Sequence, residues 1–107
     1  MFINLTPHDI VVLNSDNSVA LTLNPSGLVR LTESVKPNPA IHEGIPIKSV
    51  GLGDVLGLPD PIDNVYYVVS MVVATSLRGL RTDLVYPEVV RNDKGIIIGC
   101  CGFIAPV

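Results

Sequence analysis

Two groups of residues in this 107-residue chain have the types and spacing that chemistry needs. The first is Asn4-Leu5-Thr6-Pro7-His8, where one short segment offers an amide, a hydroxyl and an imidazole. Such a set can read the polar edges of a small ligand and donate to an oxyanion. The same segment also reads as plain backbone geometry. Pro7 fixes its own φ, Thr6 before it is pushed extended, and Thr6-Pro7-His8-Asp9 fits a type I turn. The second group is the arginines Arg30, Arg78, Arg81 and Arg91. A guanidinium presents a planar fork that matches phosphate oxygens. Asp83, two residues from Arg81, would share its face on a strand and orient it for an anion. Each arginine could equally make a surface salt bridge of little energy.

Other chemistries find less support. Two histidines and the neighbours Cys100-Cys101 make no zinc spacing, so no metal and no cofactor is expected. Nothing near the cysteines in sequence would activate a nucleophile. They read as two buried, reduced thiols whose side chains point to opposite faces of a strand. Asp60 and Asp63 fall in a proline-rich loop, where turn formation explains them. "GLGDVLG" at 51–57 lacks the glycine spacing of a dinucleotide fingerprint. Tyr66, Tyr67 and Tyr86 could stack on a base, but core packing accounts for each.

The composition narrows the setting. The chain is 48% hydrophobic and only 16% charged, with mean hydropathy +0.49, against about 25% charged in ordinary domains. A compact monomer of this mass would expose roughly 5,800 Å². So few charges cover such a surface poorly, and a homo-oligomer that buries apolar area is the expected state. Net charge −3 argues against long nucleic acids but leaves room for a small anionic ligand where basic residues converge. No apolar run reaches the length of a membrane span and no basic leader is visible, which points to the cytoplasm.

The elements that must position these residues are short strands joined by turns, in one domain over 1–107. Residues 10–13 and 19–23 flank "NSDNS" and predict a hairpin. A strand is expected at 28–31, an irregular surface loop over 34–44, and an edge strand carrying Pro46 over 45–50. Glycines 51, 53 and 57 should break the middle of the chain. Val65–Val69 reads as a buried strand. A short helix follows over about 71–78, with Ser70 as N-cap, Arg78 at the negative end of its dipole and Gly79 just beyond. Residues 84–86 read as a strand ending at Pro87. Residues 89–91 should pair with 96–99 across "NDKG", and 103–104 should close the chain. The fold class is mainly β (α+β): a small barrel or curled mixed sheet with one short helix near 71–78.

The order of motifs resembles a family of small proteins from bacteriophages, prophages and actinobacterial genomes. These open with N-L-T-P-H, here Asn4 to His8. They continue through a P-S-G turn with an arginine just after it, here Pro25-Ser26-Gly27 and Arg30. Next come G-L-P-x-P, here Gly57 to Pro61, and a Y-x-V-S strand end, here Tyr67 to Ser70. An R-x-D-L-x-x-P stretch, here Arg81 to Pro87, precedes a final V-R-[ND]-x-x-G-x-I-x-G-C, here Val90 to Cys100. The resemblance spans nearly the whole chain. A turn needs Pro7, but it does not need Asn4, Thr6 and His8 together. The resemblance therefore implies a pocket for a phosphorylated small molecule, drawn from Asn4, Thr6, His8, Ser26, Arg30, Ser70, Arg78, Arg81, Asp83 and Arg91. The expected function is a phage-type, nucleotide-binding anti-defence protein that sequesters a host immune signal. The alternative is a metal-independent phosphodiesterase that cleaves a cyclic nucleotide, with His8 as general acid or base and an arginine on the transition-state charge. A third reading is an interaction module with no small ligand.

Overall fold

A computed structural model describes residues 1–35, 40–47 and 50–106. The elements run, in chain order, β1 (Phe2–Asn4), β2 (Ile10–Leu13), β3 (Val19–Leu23), β4 (Arg30–Val35), β5 (Ala40–His42), β6 (Ile45–Ile47), β7 (Val50–Leu56), β8 (Tyr66–Val68), α1 (Met71–Ser76), β9 (Leu84–Arg91) and β10 (Ile97–Ile104). Six strands form one mixed sheet in the order β1-β8-β9-β10-β2-β3. It is the curled, mainly β architecture that the strand-and-turn pattern predicts. The β2–β3 hairpin and the β9–β10 hairpin across residues 92–95 both form as expected.

The sheet curls until its two edges meet. Asn4, at the end of β1, makes a parallel bridge to Pro25, just past β3, and the Ser26 N–H donates to the Asn4 carbonyl at 2.8 Å. Closure of this kind removes the exposed edges that a flat six-stranded sheet would leave. Inside the curl sit Ile10, Val68, Val85 and Cys100, all buried, with Val12, Leu23 and Phe103 packed against them. The outer face of β8 and β9 is covered as well. Tyr67, Val69 and Leu84 pack there with Val73 and Ala74 of α1 and with Leu5 and Val29. Burial on both faces is why residues 65–69 read as a continuous apolar run rather than an alternating one.

β4 and β7 form a separate antiparallel pair outside this sheet, and β5 and β6, which lie between them in sequence, form another. At the base, Leu31 and Val55 pack on the core. A register shift between Leu31 and Glu33 is bridged by the Thr32 hydroxyl, which accepts from Asp54 N at 2.7 Å and donates to Asp54 O at 3.2 Å. At the tip, Glu43 and Gly44 both hold positive φ, 52° and 75°. This is the two-residue turn that suits hairpin twist, and the glycine takes the more strained place without cost. The radius of gyration is 17.0 Å, against about 13 Å for a compact chain of this length.

Several local expectations are corrected. Of the segment 34–44, expected to be an irregular loop, the described residues are ordered: 34–35 end β4, 40–42 form β5 and 43–44 make a tight turn, while 36–39, with both prolines, lie outside the described residues. The strand expected over 45–50 is β6 up to Ile47, and residues 48–49 lie outside the description. Gly51 and Gly53 do not break the chain, because β7 runs through both against β4. β9 likewise continues through Pro87, which sits opposite Phe103. Residues 103–104 are the end of β10 rather than a further strand.

The helix forms and Ser70 caps it, its hydroxyl accepting from Val73 N at 3.3 Å. It ends at Ser76, however, so Arg78 lies in the following turn and no basic residue falls in the last helical turn. β1 was not marked by any periodicity, since three residues carry too little pattern. The cysteines do point to opposite faces and are free, but only Cys100 is buried; Cys101 is exposed. Burial pushes the Cys100 thiol above its ordinary pKa.

Candidate functional site

The candidate residues fall into three places. The first is the seam of the barrel, at the carboxyl ends of the parallel strands β1 and β8. Asn4 is 1% exposed, and its side chain uses both ends. Its Nδ2 donates to His8 O at 2.8 Å and to Leu23 O at 2.9 Å, while its Oδ1 accepts from Thr6 N at 2.9 Å and Thr6 Oγ1 at 2.6 Å. Thr6 Oγ1 also lies 3.1 Å from His8 O. Residues 6–8 are thus a bend folded around the Asn4 side chain, an Asx-type turn rather than a turn closed by backbone alone. The polar groups of Asn4 and Thr6 are engaged within the chain, while the His8 side chain is exposed. Ser26 is bonded to Asn4 through its backbone, and Val29 N donates to Leu5 O at 3.2 Å, which brings Arg30 to the same seam. Leu5 N donates to Val68 O at 2.9 Å, so Ser70 lies close by with its hydroxyl on α1.

The second place is the bend before β9. Arg81 grips Asp83 with two parallel bonds, Nε to Oδ1 and Nη2 to Oδ2, both 2.8 Å, and Nη2 also donates to Pro59 O at 3.0 Å. Both side chains are mostly buried. The hydrogen bonds from Arg81 hold the Asp83 carboxyl below the usual carboxylate range, and Asp83 in turn raises the guanidinium. A bidentate pair of this kind is among the stronger charged contacts. Here it ties the proline-rich loop to the start of β9. Arg78 stands apart, exposed in the turn after α1.

The third place is the far end of β9. Arg91 lies roughly 23 Å along the strand from Leu84, too far for one phosphate to reach both Arg91 and the Arg81–Asp83 pair. Arg91 Nη1 donates to Gly95 O at 2.8 Å. The Asn92 Oδ1 accepts from Lys94 N at 2.9 Å and Ile96 N at 3.0 Å, which sets the turn and directs residues 92–95. Arg91 and Lys94 line one cleft of about 450 Å³ with Asn17, Asn92, Asp93, Ile96 and Ile98. Two cations against one carboxylate, with two amides and two isoleucines, can hold an anionic ligand that has a flat apolar portion. Asn17, Asn92 and Lys94 were missed by sequence reasoning, which read "NSDNS" and "NDKG" as turns only. The turns are real, and what went unread is that the curl of the sheet sets the two tips side by side.

Among the described residues no group of three or more His, Cys, Asp or Glu could hold a metal ion, and no helix is long and apolar enough to cross a membrane. Compared with protein-family models, curated proteins and solved structures, the chain finds no significant match.

Proposed function

We propose that this chain is a binding protein for a small phosphorylated, nucleotide-type molecule, that it acts by sequestration in the cytoplasm of a bacterial host, and that it works as a homo-oligomer. The observation that carries this reading is the cleft in which Arg91 and Lys94 converge beside Asn17 and Asn92. Charge-assisted bonds from a guanidinium and an ammonium suit phosphate oxygens, and the isoleucine side chains suit the face of a base. The cleft is lined by no histidine, and its only carboxylate is Asp93, a composition suited to holding a ligand rather than cleaving it. The setting, a phage protein that removes a host signal, is supported by the order of motifs from Asn4 to Cys100.

The test is calorimetric titration with a panel of cyclic dinucleotides and ADP-ribose derivatives, followed by chromatography before and after heating. One member of the panel should bind, and it should be recovered intact only after denaturation. Arg91→Ala and Lys94→Ala should each weaken binding by roughly 10- to 100-fold through lost charge-assisted bonds. Steady conversion at substoichiometric protein, abolished by His8→Ala with binding retained, would replace this reading with the phosphodiesterase. Absence of any binding across the panel would remove it.

A further inference from the structure

The β5–β6 hairpin presents an arrangement that is unfavourable for a chain standing alone. Ile41, Ile45 and Ile47 are 72%, 65% and 52% exposed, and every residue of both strands is exposed. Among the described residues, the two strands pair with each other and with no other strand. A lone two-stranded hairpin is marginal in water, and three open isoleucines at its tip add to the cost. The register places Ile45 and Ile47 on one face of the hairpin with His42, and Ile41 on the other with Pro46. We propose that this hairpin is an assembly arm that seats the Ile45 and Ile47 face in an apolar groove on a second copy of the same chain. The inference rests on the homo-oligomer part of the function proposed above, and not on the ligand.

Area and chemistry name the occupant. The chain exposes 7537 Å², well above the roughly 5,800 Å² of a compact monomer of 11.4 kDa. A standard dimer needs about 800 Å² from each partner, so the excess on one chain covers that requirement with room to spare. The molecule also carries a receptor of matching character. A groove of about 640 Å³ is lined by Met71, Tyr86, Pro87, Val89 and Ile104, with Glu88 and Arg91 as its charged members. Met71 and Val89 are among the large apolar side chains left open on the barrel. The arm carries His42 on the same face as Ile45 and Ile47, where its ring N–H can donate to Glu88 of the groove. The groove shares Arg91 with the cleft of the proposed ligand site, so an arriving arm would place its charged tip beside that cleft.

The experiment is sedimentation velocity of the full chain at micromolar concentration, with variants on each surface. Ile45→Asp and, separately, Ile47→Asp put a charge on the docking face of the arm at positions that are open in the single chain. Met71→Glu charges the groove at the first residue of α1, where an acidic side chain agrees with the helix dipole. Wild type should sediment as an oligomer, and all three variants should associate on the order of a hundredfold more weakly, with unchanged circular dichroism. An equimolar mixture of Ile45→Asp and Met71→Glu should recover a species of twice the chain mass, because each copy keeps one intact surface. A monomeric wild type overturns both the oligomer and the arm. An oligomeric wild type whose arm and groove variants remain oligomeric overturns the arm alone.

Discussion

The barrel and the arm are built from similar residues and meet opposite fates. In the barrel, β8 and β9 place Val68 and Val85 inside the curl and Tyr67 and Leu84 under α1, so both faces are dry. In the arm, Ile41, Ile45 and Ile47 have the same β-forming side chains and keep more than half of their surface open. The difference lies in closure. Six strands that return to their own first edge share one interior, whereas two strands have none to share. Hydrophobic stabilisation follows area removed from water, not apolar composition, so the same residue type contributes little in one region and much in the other.

The largest expected effect separates the two regions directly. Leu84, 2% exposed, should cost about 2–5 kcal/mol when cut to alanine, through lost transfer energy plus a cavity. Ile45→Ala, measured by urea unfolding at concentrations that keep the chain monomeric, should change stability by about 0.5 kcal/mol or less. Similar costs at the two sites would erase the contrast.

The seam tests whether closure itself is the stabilising device. Asn4→Ala removes a side chain with two donor and two acceptor contacts and leaves Leu23 O and the Thr6 N–H without it, while His8 O keeps the Thr6 hydroxyl. A loss of about 2–4 kcal/mol is expected, since unsatisfied buried groups cost about 1–3 kcal/mol each and some will find water. Faster amide exchange should spread along β1 and β3. Exchange confined to residues 4–8 would make the Asn4 network a local turn and nothing more.

The smallest effect concerns the Arg81–Asp83 pair. Asp83 holds its proton more weakly folded than unfolded, so the pair's contribution is complete above the unfolded carboxylate value of about 3.9 and drains away as pH falls through the lower folded value. Asp83→Asn should cost about 1–2 kcal/mol at pH 7 and flatten the acid limb of the stability curve. The gap between wild type and variant should narrow in strong acid. A gap that stays constant from neutral pH to pH 2 would mean that the carboxylate's charge contributes nothing.

Much of this was legible from residue order. The β2–β3 and β9–β10 hairpins announce themselves through Asn- and Gly-rich turns between apolar runs, and Ser70 announces the helix start by its place before "MVVATS". Arg81 and Asp83 declare a pair because two residues of separation is local geometry. The arm was hidden, because two prolines and two glycines flanking it look like breakers until a partner strand satisfies the backbone of β7. The basic cleft was hidden for a related reason: Asn17 and Lys94 belong to two turns far apart in sequence.

Local chemistry therefore determined what one segment can do with its own neighbours: turns, caps, strand faces and the Arg-x-Asp pair. Tertiary structure alone decided which surfaces meet. Asn4 reads as a ligand group until the sheet curls back and gives its amide the carbonyl of Leu23, nineteen residues away. Arg91 gains Asn17 only when β10 lies beside β2. Turn chemistry is short-ranged and is written in consecutive residues. Closure depends on the twist and register of six strands together, and no short stretch of sequence encodes it.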